Sequence, residues 1–408
     1  MECATVSFTG GGGLKFWLEA YSTTTQNTVS FTPKVSATNV CAAIVPKGTG
    51  AIVASIPDGT AVGGNARGIY AVDLQLYRTN ANQVASGGTS GILSGESNRI
   101  SSTRTNSFCV IGGGQSNLIS QLYGATIAGG QSNTIGDNDG WQCTIGGGAS
   151  NTITGRLATT IVGGNSNTAS NNFVTMGGRA NLASGDTSTC MGGQGNTTSG
   201  AFSSILGGAS NTASATHSFV GGGSTNSVSG EYSAIGGGIS NSVAAKRSVI
   251  AGGNSNSCPS GSQFYCFIGA GNGNIVNNDG GVVCGGSGNR SGQGPGYTHG
   301  YSFVGCGESN YVYTNSAGIV SGLSNLVQGS YSFIGAGRSN TNNGLYAGID
   351  SGRDNTISSA YNFIGAGRAN TAGGVYNVIG GGFTNSGTAS AAVTTEAQQP
   401  QAELRQQL

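Results

Sequence analysis

Tyr331-Ser-Phe-Ile-Gly-Ala-Gly-Arg-Ser-Asn-Thr341 is an aromatic and apolar run that meets a glycine turn and then an asparagine. The same phrase appears as Ile111-Gly-Gly-Gly-Gln-Ser-Asn117 and Ile235-Gly-Gly-Gly-Ile-Ser-Asn241. It recurs nineteen times, with its asparagine at positions 98, 117, 133, 151, 167, 181, 196, 211, 226, 241, 256, 274, 289, 310, 325, 340, 355, 370 and 385. The commonest spacing is 15. Glycine stands three residues before every one of these asparagines, from Gly95 to Gly382. Isoleucine or valine stands six before in seventeen cases, with Thr175 and Cys190 the departures. Repetition of this kind marks a solenoid, where one repeat cannot bury its apolar face alone and stacked neighbours can.

Each repeat reads as a strand of four or five residues, a glycine turn and a second short polar strand such as Ser-Asn-Thr-Ile, which together make one coil. Coils stacked at the strand spacing of about 4.8 Å turn every repeated position into a ladder and make a rod on the order of 90 Å long. The glycine either adopts φ > 0 or lets adjacent coils approach. The asparagine satisfies turn amides and bonds to its copies above and below. Alternation places the isoleucines with Ser233, Ser332 and Ala347 on one face of the first strand. Phe219, Phe267, Phe303, Phe333 and Phe363 lie on the other, with Tyr265, Tyr301, Tyr331 and Tyr361 two residues earlier. A 15-residue coil is too thin to bury both faces, so one fills the lumen, the other meets a second copy, and self-association is expected.

Composition excludes several classes. The chain has 408 residues, 77 of them glycine and only 6 proline, and with no G-x-y triplet it is neither collagen-like nor a linker. A net charge of +1, from 16 basic and 15 acidic residues, offers no stripe to track a phosphate backbone, so nucleic acid is not an expected partner. No apolar run approaches the roughly 20 residues of a spanning helix, and the start, Met1-Glu-Cys-Ala-Thr-Val-Ser-Phe-Thr, lacks the pattern of a signal peptide. Neither membrane insertion nor export by a signal peptide is expected. The nine cysteines, irregularly spaced, read as small apolar fillers in a reducing compartment, with Cys258 and Cys266 placed so that a bridge is the minority alternative.

The phrase at residues 331–341 resembles the repeat N-S-V-A-I-G-x-x-S-x-A of YadA-type heads of trimeric autotransporter adhesins. The resemblance covers about 300 residues and implies a trimeric, left-handed parallel β-roll, a fold that bacteriophage tail fibres also use. Asn65-Ala-Arg-Gly-Ile-Tyr-Ala-Val-Asp-Leu-Gln75, followed by Arg78 and by Gln83-Val-Ala-Ser-Gly87, is similar to the junction before glycine-rich rolls in phage tail fibre proteins. The polar end of the chain, residues 394–408, does not read as an autotransporter's membrane anchor. The expected organisation is therefore an N-terminal β module at 1–62 that docks on other virion tail proteins or caps the stack, a junction at 63–89, the roll at 90–388, and a polar tail at 389–408. The expected function is a virion fibre, homotrimeric and assembled in the host cytoplasm, that attaches to a host surface glycan or lipopolysaccharide. A bacterial adhesin head and a tailspike depolymerase are the alternatives.

Candidate contact residues come from three insertions at one phase of the coil and from one charge column. The insertions carry Trp141, Phe264, Tyr297 and His299 beside polar residues, a composition suited to stacking on sugar rings, although variable solenoid loops are often neutral. Arg338, Arg353 and Arg368 occupy the same position in three successive coils, expected to face solvent near Asp354 with Tyr331, Tyr346, Tyr361 and Tyr376 as a neighbouring column. Their plainer role is solubility. Asp350 and Asp354 are the pair closest to a glycosidase's two carboxylates, and read instead as neutralising the neighbouring arginines. Asp137 and Asp139 lack the G-G-x-G-x-D frame of calcium rolls, and His217 and His299 have no partner at metal-ligand spacing, so no catalytic residue, cofactor or metal is expected.

Overall fold

A computed structural model describes residues 49–102, 106–120, 123–136, 140–155, 157–260, 264–292 and 300–394. Most of the expected N-terminal module and most of the polar tail lie outside the described residues. The chain divides into residues 1–45 and 46–408, and the second unit is an all-β parallel solenoid of about twenty turns with repeats of about 15 residues. Among the described residues there is no helix.

Each of the nineteen repeats contributes one strand to each of two parallel sheets. Nearly all these strands are two residues long, with Arg99–Ser101 and Leu118–Ser120 reaching three, so they are shorter than the four or five residues expected. Backbone conformation sets the limit. In the coil of Phe333, Tyr331 (φ 58°) and Gly337 (φ 109°) bracket the extended run, and Ser339 (φ 55°) follows. A residue in the left-handed region cannot continue a strand. Only Phe333–Ile334 remains to pair, with Gly318–Ile319 on one side and Gly348–Ile349 on the other.

The second residue of almost every strand points inward. Ile334, Ile349, Ile364 and Ile379 from the first sheet meet Val327, Ile357 and Ala372 from the second in a lumen from which solvent is excluded. The isoleucine face with Ser233 and Ser332 is thus the buried one, and the phenylalanine face is outside. Thr175 departs from the pattern because the turn after it is one residue shorter, and Met176 fills the lumen in its place. Cys190 is a true substitution, buried in the isoleucine column.

Both expected roles of the glycine operate together. All nineteen, from Gly95 to Gly382, have positive φ, and a Cβ on Gly337 would collide with the carbonyl oxygen of Gly352 in the next coil. The asparagine ladder is equally regular. Asn340 Oδ1 accepts from the backbone N–H of Asn355 at 3.0 Å, while its Nδ2 donates to the carbonyls of Ala336 at 3.3 Å and Gly352 at 2.9 Å. One buried side chain therefore satisfies turn groups of its own coil and of the next, in a site where each unmade bond would be costly.

The first sheet is longer than the run of repeats. Among the described residues it has 22 strands, beginning with Ile52–Val53 and Val72–Asp73, which pair in register with each other, the latter also with Gly91–Ile92, and ending with Val393–Thr394. Residues 65–78 start the asparagine ladder. Gln75 stands in for the missing first asparagine: its Oε1 accepts from the N–H of Asn98 at 2.9 Å and its Nε2 donates to the Asn98 carbonyl at 2.8 Å. Beneath it Asp73 holds two guanidinium groups, Arg67 at 2.9 Å and Arg78 at 3.3 Å, all three side chains being 0 to 1 % exposed.

Candidate functional site

With the lumen filled, the side chains open to solvent form three outward columns. At the glycine–asparagine turn, successive coils are linked by parallel bridges from Arg338 to Arg353, to Arg368 and then to Phe383. The arginine ladder expected from the sequence exists. Asp354 is set beside it, 3.0 Å from Arg353 and 3.9 Å from Arg368, and these side chains are 43 to 52 % exposed. Arg368 also lies over the Phe383 ring at 5.6 Å. At such exposure each ion pair contributes little to stability, so the column is a charged, hydrated strip with two uncompensated positive charges. Asp350 takes no part. It is exposed on the first sheet and, among the described residues, has no arginine within ion-pair reach, contrary to the expected neutralising pair.

The second column occupies the opposite turn, where each coil again passes through left-handed φ. There Tyr331, Tyr346, Tyr361 and Tyr376 stack with centroids 5.0, 5.5 and 4.9 Å apart and rings 11° from parallel. Phe202, His217 and Tyr232 stack in the same way earlier in the rod, at 5.0 and 4.8 Å. The tyrosines are not neighbours of the arginines: the strand Phe333–Ile334 separates Tyr331 from Arg338, so the two columns stand at its opposite ends.

Trp141 and Phe264 each sit one residue before the left-handed corner residue, bridged to Tyr123 and Leu157 and to Lys246, respectively. They share a column but not a site. The first-sheet strands that follow them are eight rungs apart, about 38 Å at the strand spacing. Tyr297, His299, Asp137 and Asp139 lie outside the described residues. Among the described residues no group of His, Cys, Asp and Glu is placed to hold a metal ion, and no helix is long and apolar enough to cross a membrane.

The third column escapes sequence reasoning as a continuous feature. The outward residue of each first-sheet strand is Thr126, Thr144, Thr160, Thr175, Thr189 and Ser204 in one stretch. From Phe219 to Val378 it is apolar or glycine in every rung, and phenylalanine alternates with glycine through Phe303, Gly318, Phe333, Gly348 and Phe363. Lining up every coil at one phase reveals it. With the tyrosine stack it encloses a groove of about 450 Å³ lined by Tyr331, Phe333, Tyr346, Gly348, Tyr361 and Phe363.

The cysteines behave as fillers in the N-terminal half. Cys143 and Cys190 are free, and with Cys109 they are buried; burial pushes all three thiols up, that of Cys190 to about 11. Cys258 and Cys266 are also free and buried, with a side-chain hydrogen bond between them that raises the first thiol and lowers the second. Cys284 and Cys306 are exposed.

No protein-family model matches this chain, and neither does any curated protein.

Proposed function

We propose that this chain is the shaft and contact surface of a virion fibre, several copies running side by side, which attaches a particle to the surface of a host cell. The observation that carries the reading is the uninterrupted stack of 22 first-sheet rungs around a filled lumen. Such a stack spans about 100 Å at the strand spacing and leaves no internal site among the described residues, so its chemistry is reach and repetition. The assignment to a virion rather than a bacterial adhesin rests on residues 65–75 and their similarity to tail-fibre junctions. Homotrimers, docking through the N-terminal residues on other tail proteins, and a host glycan or lipopolysaccharide as receptor belong to the same proposal.

The arginine ladder is the contact proposed for an anionic surface polysaccharide. Three like charges in successive rungs repel by roughly 1 kcal/mol per pair in water-like dielectric, and an anionic polymer running along the rod relieves that repulsion. Replacing Arg338, Arg353 and Arg368 together by serine tests it through attachment to host cells at low and high salt. The expected result is at least tenfold weaker attachment at low salt and a flattened salt dependence; unchanged attachment by an assembled variant leaves the arginines with solubility alone.

A further inference from the structure

The outward face of the first sheet points to its own occupant. We infer that the stripe from Phe219 to Val378 is the surface on which copies of this chain pack against one another, in parallel and in one register, and that the threonine stretch before it is not. The inference deepens the fibre reading and rests on it for the expectation of several copies, while the choice of face rests on geometry alone.

Eleven consecutive rungs present Phe219, Ala234, Val249, Phe267, Val282, Phe303, Gly318, Phe333, Gly348, Phe363 and Val378, without one polar side chain. The large ones among them are 38 to 44 % exposed where exposure exceeds a third. Ten rung spacings make a stripe about 48 Å long. With a width of one strand and one corner column it covers on the order of 500 to 700 Å², near the share each partner contributes to a stable interface and at the top of what a monomer leaves exposed.

Length and period select the partner. A sugar needs convergent hydrogen-bonding groups, and the one amide in the groove, Asn362, is already engaged by the carbonyls of Ser359 and Gly374 and by the N–H of Asn377. A partner that fills a straight apolar stripe with the rung period must itself carry that period, and a second copy does. Symmetry sets the register. Copies related by a rotation axis along the rod run parallel and lie at one height, so each rung meets the same rung of its neighbour. From Phe303 to Phe363 phenylalanine alternates with glycine, and Phe333 leans over Gly348, where a Cβ would collide with its ring.

Sedimentation of the full chain across concentration tests the inference with three variants. Phe333→Asp with Phe363→Asp places charge on the stripe; Thr160→Asp with Thr175→Asp places the same charge on the threonine stretch. Gly318→Trp adds a ring at a rung where a Cβ meets nothing closer than 3.6 Å, and thermal unfolding run beside the sedimentation separates a lost interface from a lost fold, so this variant decides the matter if the aspartates prevent folding. The expected result is an assembled wild type, association at least 100-fold weaker in the phenylalanine and Gly318 variants, and a change of less than about threefold in the threonine variant. Retained assembly in the Gly318 variant, equal losses from both stretches, or a monomeric wild type each overturn it. The fibre reading fails separately: attachment lost by no assembly-deficient variant would sink that reading while leaving the interface intact.

Discussion

The coils between Thr126 and Ser204 and those between Phe219 and Val378 are the same inside and different outside. Inward, the first-sheet strands of both stack isoleucine, valine or another apolar residue with no solvent access, and both repeat the glycine and asparagine ladders. Outward, the first presents threonine hydroxyls and the second aromatic rings. The backbone is therefore specified by positions that never meet water, and the outward positions are free to vary with what each stretch must contact. A change at an internal column should cost the same in either half, and a change at an outward column should matter only where a partner covers it.

The strongest test of that equivalence is the glycine column. Gly208→Val and Gly337→Val both force a branched side chain into left-handed φ, 88° and 109°, and against the carbonyl of the coil above. Each is expected to lose about 4 kcal/mol or more in urea unfolding. A loss confined to one half would break the comparison. Truncation of the lumen comes next: Ile205→Ala and Ile334→Ala, both fully buried, should each lose about 3 kcal/mol, again equally.

Asn211→Ala and Asn340→Ala probe the ladder itself. In the Asn340 variant the N–H of Asn355 and the Ala336 carbonyl lose their partner in a buried turn, and the Gly352 carbonyl keeps only the Arg338 N–H, a loss expected at about 2 kcal/mol. Differential scanning calorimetry of both variants checks it, and unequal losses would show that the two halves are not built alike.

How much of this is legible in the sequence follows from the kind of position. Ile334, Gly337 and Asn340 each have one physical role that few residues can fill, so their recurrence is visible directly. Direction is not: alternation separates Phe333 from Ile334 but does not say which faces the lumen, and the turns decide that. The arginine ladder is legible because all three arginines share one phase and one charge. The Tyr331 stack does not stand beside it as the sequence suggests, since proximity along the chain ignores that a strand holds its two ends apart. Gln75, Asp73 and Arg67 are not legible as a repeat, because the start of the ladder forms once and leaves no period to detect.

The smallest expected difference between the halves is at alkaline pH. Burial raises the Cys109, Cys143 and Cys190 thiols, all in the first half, whereas the hydrogen-bonded Cys258 and Cys266 shift in opposite directions. For Cys190 the ordinary value of 9.0 applies unfolded and about 11 folded. Below the lower value both states hold the proton and the contribution is complete. Between the two the unfolded chain releases a proton that the native lumen retains, so the unfolded state binds fewer protons and stability falls as pH rises. Urea unfolding at about pH 8 and about pH 10.5 should therefore show a decline that is smaller in Cys190→Val, a residue the same column already accommodates at Val220. Thiol labelling at about pH 8 supplies the companion readout, with the exposed Cys284 and Cys306 modified well before the five buried cysteines. An identical alkaline decline in the valine variant would mean that Cys190 does not contribute to it.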